Sequence, residues 1–143
     1  MIHKSHASHI ASAFSVVDIL AVLYSCIANI NPNNTNDPNR DKIVLSKGHA
    51  GSALYAILAE LEFFSLDELL STYYQDGSRF SGHISHKNVP GVEVSTGSLG
   101  QGAGIACGLA LSDKIHDINA KTYAVVGDGE CQEGSIWEMA EFA

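Results

Sequence analysis

The feature that most constrains the fold of this chain is a short apolar stretch that runs directly into an aspartate between two glycines. Residues 122–126 have the length and the apolar, β-branched content of a buried strand. Gly127, Asp128 and Gly129 follow at once, and a helix is predicted from Ser135 to the end. Strands separated by helices are typical of parallel α/β sheets. We therefore predict an α/β fold in which a parallel sheet is flanked by helices.

The other predicted elements agree with this architecture. A second strand is predicted at residues 43–46, and helices are predicted from Ser15 to before Pro32, at 50–61, from Ser65 onward and at 99–115. Two serine-to-acid patterns, Ser15 with Asp18 and Ser65 with Glu68, predict N-terminal helix caps. Residues 75–98 show no periodicity, and a loop of this length in a compact domain is usually functional or disordered.

The charge of the chain limits its partners. Its 143 residues include 8 Lys and Arg against 16 Asp and Glu, so the net charge is −8, and there is no basic run. Nucleic acid and anionic membranes attract clustered Lys and Arg, so we exclude both as partners. Asp18 and several serines interrupt the apolar stretch 10–28, which favours an amphipathic core helix over a signal or spanning segment. The length predicts one domain, residues 1–143.

The three cysteines indicate a reducing compartment. Cys26, Cys107 and Cys131 are an odd number at wide spacing, which fits neither a disulfide framework nor a zinc knuckle. We therefore predict that the protein is cytoplasmic.

The Gly127–Gly129 turn is a candidate site for an anion and a metal ion. In open α/β sheets, ligands bind beyond the carboxyl ends of strands, where loop amides attract anions. The glycines let the backbone approach a phosphate, and Asp128 suits a hard cation such as Mg²⁺ that bridges diphosphate oxygens. The alternative is a plain turn without a ligand. Glu130 and Glu133 add negative charge beside Asp128, which a bound cation or a cationic ligand would offset.

Glycine is concentrated in the second half of the chain. No glycine precedes Gly48, whereas five lie from Gly97 to Gly108. A glycine inside a helix costs about 1 kcal/mol relative to alanine, so this density needs a compensating interaction. Close packing of two helices and backbone contact with a flat ligand are both compatible with the pattern.

Three of the seven histidines are candidate functional residues. His9, His49 and His83 each lie among small residues at a predicted element boundary. An exposed imidazole there can donate to substrate hydroxyls or phosphate and exchange protons near neutral pH. The alternative for each is a solvated or capping histidine. The other four are predicted to be surface residues: His3, His6, His86 and His116.

Five segments, in their order along the chain, resemble the N-terminal, diphosphate-binding half of transketolases, which use thiamine diphosphate. The segments are Ser8–Ile10, Leu45–Ala50, Gly82–His83, Pro90–Gly102 and Gly127–Gly134. The resemblance covers almost the whole chain and implies a thiamine diphosphate-binding fold that is truncated at both ends. The related deoxyxylulose-phosphate synthases are the nearest alternative family. Gly82–His83 and Pro90–Gly102 resemble transketolases more than they resemble these synthases.

The resemblance also implies which residues bind the cofactor. Asp128 would bind Mg²⁺, or Ca²⁺ or Mn²⁺ in its place, and the backbone of Gly129 would contact the cofactor diphosphate. Gly97, Ser98 and Leu99 would present backbone to the aminopyrimidine ring.

Four residues are implied to be catalytic. His9, His49 and His83 would line the channel above the thiazolium ring. His49 would also lie near the diphosphate as a cofactor-binding residue, and His83 would lie near the first hydroxyl of the donor sugar. Glu133 would lie at the interface between two chains, in a carboxylate network that links paired active sites.

The implied activity is transfer of a two-carbon ketol unit from a ketose phosphate to an aldose phosphate in the pentose phosphate pathway. The implied partner is a chain with the pyrimidine-binding domain, in a homo- or hetero-oligomer. That domain, and the asparagine that completes the family's metal site, have no counterpart up to Ala143. Two hypotheses follow: a component of a split transketolase that is active only with its partner, or a catalytically inactive fragment.

Overall fold

Two parallel strands form the sheet of a mainly helical chain. The computed structural model describes all 143 residues, Met1–Ala143. The elements are, in order, α1 (Ile2–Ser5), α2 (Ile10–Phe14), α3 (Val17–Val22), β1 (Lys42–Leu45), α4 (Gly51–Glu60), α5 (Leu66–Thr72), α6 (Gln101–Ile115), β2 (Thr122–Val125) and α7 (Gly134–Phe142). A π-helical turn follows α3, and 3-10 turns precede α4 and α7: Leu23–Ile27, Gly48–Ala50 and Glu130–Gln132. No helix is both long and apolar enough to cross a membrane.

The two strands pair in parallel. Lys42 of β1 is opposite Thr122 of β2, and Leu45 is opposite Val125. The next amide, Ser46 N–H, donates to Val125 O at 2.9 Å. Both strands therefore end at the same edge of the sheet, where the turns that follow them meet. The predicted α/β fold is confirmed, and both strands lie within one residue of their predicted bounds.

The hydrophobic core involves β1, α4 and the long segment 75–98. Leu54 and Leu58 of α4 are at most 1% exposed and belong to the apolar face that the helical spacing predicts, and Tyr55, outside that face, is buried as well. The segment adds three buried apolar side chains to the same core: Phe80, Ile84 and Val89. Because these side chains are packed, the segment is an integral part of the fold although it contains no helix or strand.

The first helix predicted from the sequence differs from the structure. The sequence predicts one helix that begins at the cap Ser15 and ends before Pro32, but the structure has α3 followed by a π-helical turn in this region. Ser15 ends α2, and its Oγ donates to Ser12 O at 2.8 Å instead of capping α3. A π-helical turn holds more residues than an α-helical turn. The predicted apolar face therefore loses its last member: Leu20 and Tyr24 are buried, whereas Ile27 is exposed.

The helix cap predicted for α5 is confirmed. Glu68 N–H donates to Ser65 Oγ at 3.3 Å. The Glu68 carboxylate also accepts two hydrogen bonds from Arg79, at 2.9 Å from Nε and 2.6 Å from Nη2. The start of α5 is thereby tied to the long segment.

Candidate functional site

The carboxyl ends of β1 and β2 open into a polar cavity of about 370 Å³, the strand-end cavity. Its lining residues are Ala11, Ser12, Ser15, Lys47, His49, Leu99, Gly127, Asp128, Gly129 and Glu130. Four residues predicted from the sequence therefore share one cavity: His49, Leu99, Asp128 and Gly129. Their position beyond the ends of parallel strands is where α/β sheets bind ligands.

The three predicted histidines lie close together in the fold, and one of them, His49, lines the strand-end cavity. The ring centroids of His9 and His49 are 5.3 Å apart, and those of His9 and His83 are 5.6 Å apart. The three side chains come from the residue before α2, the 3-10 turn before α4 and the long segment. Their grouping therefore depends on the tertiary fold.

The surroundings of His49 favour its neutral form. Partial burial lowers the pKa of His49 most, and the nearby His9, Lys47 and His83 lower it further, whereas Glu130 acts in the opposite direction. A neutral imidazole offers one donor and one acceptor. His49 can therefore hold a hydroxyl or phosphate oxygen and can accept a proton.

Lys47 is a further candidate functional residue, which the sequence did not lead us to predict. It is 8% exposed, and its Nζ donates to Ser15 Oγ at 3.0 Å in the strand-end cavity. No carboxylate forms an ion pair with it, although lysine is rarely buried without a partner. An ammonium group carries three donors, so Lys47 can bind an anion. A lysine placed directly after a buried strand is the signal by which the sequence could have identified it.

Glu130 corrects the expectation of free negative charge beside Asp128. Its carboxylate is buried, and both of its oxygens accept hydrogen bonds. Oε1 accepts from Ser46 Oγ and from Gly100 N–H, the latter at 2.9 Å, and Oε2 accepts from Gly127 N–H at 3.0 Å. The sequence carries little signal for this, because an acidic residue in a turn is usually exposed.

The glycine cluster is explained in part by close packing. A Cβ at Gly102 would lie 2.5 Å from Ser46 Cα, and a Cβ at Gly104 would lie 2.6 Å from Met139 Sδ. These two glycines therefore let α6 approach the end of β1 and α7 closely.

The Gly97–Leu99 segment leads into α6 beside the histidines. A Cβ at Gly97 would lie 3.6 Å from His83 Cδ2. Ser98 is exposed, and Leu99 is 38% exposed at the wall of the strand-end cavity. Backbone contact with a flat ligand stays a prediction for these three residues.

Asp128 and Glu133 differ in their relation to the strand-end cavity. Asp128 is exposed and lines it, whereas Glu133 is exposed at the start of α7 and is not among the lining residues. No group of three or more His, Cys, Asp or Glu is arranged to hold a metal ion, so Asp128 offers a single carboxylate. The metal role of Asp128 and the interface role of Glu133 stay predictions.

Comparison with known proteins identifies the family of this chain. A family model described as "Transketolase, thiamine diphosphate binding domain" matches residues 1–143. The chain belongs to the transketolase family. The chain is similar in structure to transketolase from Campylobacter jejuni, with a TM-score of 0.80 and 31% sequence identity. The match covers 99% of this transketolase-family chain and 23% of the Campylobacter jejuni chain.

Two curated relatives of this transketolase-family chain are named as subunits. The 6-deoxy-6-sulfo-D-fructose transketolase subunit SqwG of Clostridium sp. (strain MSTE9) is 42% identical over 142 residues, which cover 99% of this chain and 51% of the relative. An apulose-4-phosphate transketolase subunit from Phocaeicola vulgatus is 40% identical over 140 residues, which cover 98% and 49%. The chain thus spans about half the length of these relatives. The resemblance drawn from the five segments is confirmed.

Proposed function

We propose that this chain is the diphosphate-side part of a transketolase that transfers a two-carbon ketol unit from a ketose phosphate to an aldose phosphate. The observation that carries the proposal is the strand-end cavity, where Asp128, Lys47 and His49 converge, with His9 beside His49 and His83 beside His9. Membership of the family supports thiamine diphosphate as the cofactor. The two relatives are named for a sulfosugar and a sugar phosphate, which supports a sugar as the substrate class.

The residues of the strand-end cavity fit a metal-bound diphosphate. Mg²⁺ keeps several waters and is held by one or two carboxylates together with phosphate oxygens, so the single carboxylate of Asp128 suits it, and Ca²⁺ or Mn²⁺ would use the same ligand. Lys47, which is 8% exposed, adds an ammonium group for the diphosphate, and Ser12 adds a hydroxyl. When bound, thiamine diphosphate supplies the carbanion that attacks the ketose carbonyl.

The three histidines would bind hydroxyls and move protons. His9 and His83 are exposed, so substrate hydroxyls can reach both rings. His49 is neutral near pH 7 because its pKa is lowered, and it can therefore accept a proton. A positioned acid or base of this kind contributes about 10²–10⁴-fold to a rate.

We also propose that turnover requires a second chain with a pyrimidine-binding domain. The support is that the two relatives are named as subunits and are about twice as long as the part that this chain matches. Glu133, exposed at the start of α7, is the proposed contact with that chain in the oligomer. The three cysteines are free thiols, which supports the proposal of a cytoplasmic setting.

Titration calorimetry on the chain mixed with a pyrimidine-binding transketolase chain tests the cofactor proposal. We expect thiamine diphosphate to bind in Mg²⁺ and not in EDTA. Asp128→Asn is expected to weaken binding at least about tenfold, because each tenfold corresponds to the loss of roughly one charge-assisted contact. Asp76→Asn removes the same charge from an exposed turn and is expected to bind like the parent protein. Metal-independent binding, or equal affinity in both variants, contradicts the metal role.

A ketol-transfer assay on the same mixture tests the activity. The chain alone is expected to show no turnover, and the mixture is expected to be active. Turnover by the chain alone contradicts the proposed need for a partner. Cofactor binding without turnover in the mixture favours the alternative, a catalytically inactive fragment.

A further inference from the structure

Glu130 is the most deeply buried charged residue of the chain, at 2% exposure, and the chemistry described above does not use it. We propose that Glu130 is a positioning residue that holds the Gly97–Gly100 turn and the Gly127–Gly129 turn against the end of β1. The inference rests on the proposed function, because these two turns carry the backbone assigned to the cofactor.

The Glu130 carboxylate joins three segments of the chain. Ser46 follows β1, Gly100 precedes α6 and Gly127 follows β2. Each donates one hydrogen bond to Glu130, two through backbone amides and one through a hydroxyl. Hydrogen bonds to an ionised acceptor are about twice as strong as neutral ones, and burial removes competing water. One side chain therefore sets the relative position of three backbone segments.

Neither of the two backbone amides has a partner in regular secondary structure. Gly100 has a left-handed φ of 79° and precedes the first turn of α6, where amides lack intrahelical acceptors. Gly127 lies beyond Val125, the last paired residue of β2. A buried amide without an acceptor costs as much free energy as a lost hydrogen bond, and the Gly100 bond is buried whereas the Gly127 bond is partly buried. Glu130 therefore supplies an acceptor that both turns need.

The bond to Gly127 also closes the turn that carries Asp128. Asp128 and Gly129 lie between the donor Gly127 and the acceptor Glu130. In the opposite direction, Cys131 N–H donates to Gly127 O at 3.1 Å. Because the turn is tied on both sides, the placement of Asp128 depends on the position of the Glu130 carboxylate.

Glu130→Gln tests this role without cofactor. The variant keeps the shape of the side chain but replaces one acceptor oxygen with a donor NH₂ group, so the Gly100 amide or the Gly127 amide loses its acceptor. Hydrogen exchange measured by NMR on the full chain is expected to become about tenfold faster for at least one of them. The core amide of Leu58 corrects for any change in global stability. Glu138→Gln, the same change at an exposed position of α7, is expected to leave both amides protected.

The outcomes of this experiment distinguish a positioning role of Glu130 from a general contribution to folding. Unchanged protection of both amides in Glu130→Gln overturns the proposal. If that variant does not fold, the parent protein decides: slow exchange of Gly100 and Gly127, which lie outside regular elements, supports the proposal, and fast exchange overturns it.

Cofactor affinity in the mixture with the pyrimidine-binding chain is the second measurement. Positioning predicts that Glu130→Gln binds thiamine diphosphate with Mg²⁺ about tenfold more weakly, while turnover at saturating cofactor falls less. A purely structural role predicts fewer binding sites at unchanged affinity, and this result overturns the proposal. If the parent protein binds no cofactor, the proposed function fails, and the exchange measurement still decides whether Glu130 holds the two turns.

Discussion

Two surfaces adjoin β2, and they differ in how their polar groups are satisfied. At the strand-end cavity, Glu130 accepts three hydrogen bonds, and nearby Thr96 Oγ1 donates to Leu45 O at 2.6 Å. The second surface is a largely apolar groove of about 480 Å³, the interhelix groove, where the buried Thr122 Oγ1 has no hydrogen-bond partner. The groove is lined by Ala103, Ala106, Cys107, Ala110, Leu111, Lys114, Thr122, Ala124, Val126, Ile136, Met139, Ala140, Phe142 and Ala143.

The difference shows where the polar groups of the chain are satisfied by other residues of the same chain. Around the strand-end cavity, donors and acceptors from distant segments pair with one another, so the geometry is set within this chain. In the interhelix groove, apolar groups stay accessible, such as Phe142, which is 66% exposed. We therefore expect small substitutions to be costly near the cavity and to be tolerated in the groove.

The largest effect is expected for Gly48→Ala, on the cavity side. A Cβ at Gly48 would lie 2.2 Å from Thr96 O and 2.8 Å from Gly97 N. These are backbone atoms that cannot rotate away, so the free energy of unfolding is expected to fall by about 3 kcal/mol. Urea denaturation measures the change.

Gly108→Ala is the matched control for that substitution. Gly108 lies inside α6, and apart from its chain neighbours and the nearby backbone of its own helix no atom lies within 4 Å of the Cβ position. Alanine favours the helix over glycine, so the free energy of unfolding is expected to rise by about 0.5–1 kcal/mol. Equal stability of the two variants would show that Gly48 does not need the close approach to Thr96.

Two Thr→Val substitutions, with expected effects of intermediate size, test the same difference between the strand-end cavity and the interhelix groove. Thr96→Val removes a hydroxyl that donates to Leu45 O and is expected to lower the free energy of unfolding by about 1–2 kcal/mol. Thr122→Val removes a buried hydroxyl without a partner and is expected to raise it by up to about 1 kcal/mol. Thermal or urea unfolding of both variants provides the measurement. Changes of the same sign and size would mean that the two surfaces do not differ in this way.

The smallest effect concerns the protonation of His49. Because burial and neighbouring positive charge lower the pKa of His49 below its ordinary value of 6.5, the folded protein binds this proton less readily than the unfolded chain. The contribution of His49 to stability is therefore fully present above about pH 6.5 and is lost as pH falls through the lowered pKa. An NMR titration of the imidazole is expected to show a midpoint below 6.5, and His9→Gln is expected to raise that midpoint. A parent midpoint at or above 6.5 contradicts the expectation.

The parts of the fold that local patterns specify were predictable from the sequence. The strands at 42–45 and 122–125 and the Ser65 cap depend on neighbouring residues, and they agree with the sequence analysis. The π-helical turn at Leu23–Ile27 was not predictable, because the apolar spacing from Val16 to Ile27 also fits one uninterrupted α-helix, and neither was the loss of the Ser15 cap. In the fold, Ser15 accepts from Lys47, a contact across 32 positions of sequence.

The candidate site was predictable to a similar extent. The grouping of the three histidines was expected from the resemblance to a family, and no periodicity or spacing in the sequence would have brought them together. Lys47 and Glu130 were missed because charged residues are exposed by default. Their burial is caused by partners far along the chain, such as Ser15 for Lys47 and Ser46 for Glu130.

The residues that line the strand-end cavity lie as far apart in the sequence as Ala11 and Glu130. This separation along the chain has a thermodynamic consequence. A polypeptide that is nicked, or folded over only part of its length, lacks the complete lining. A molecule that occupies the cavity therefore binds the native state alone and stabilises the whole chain by mass action. Protection from proteolysis by such a molecule should extend to cleavage points remote from the cavity.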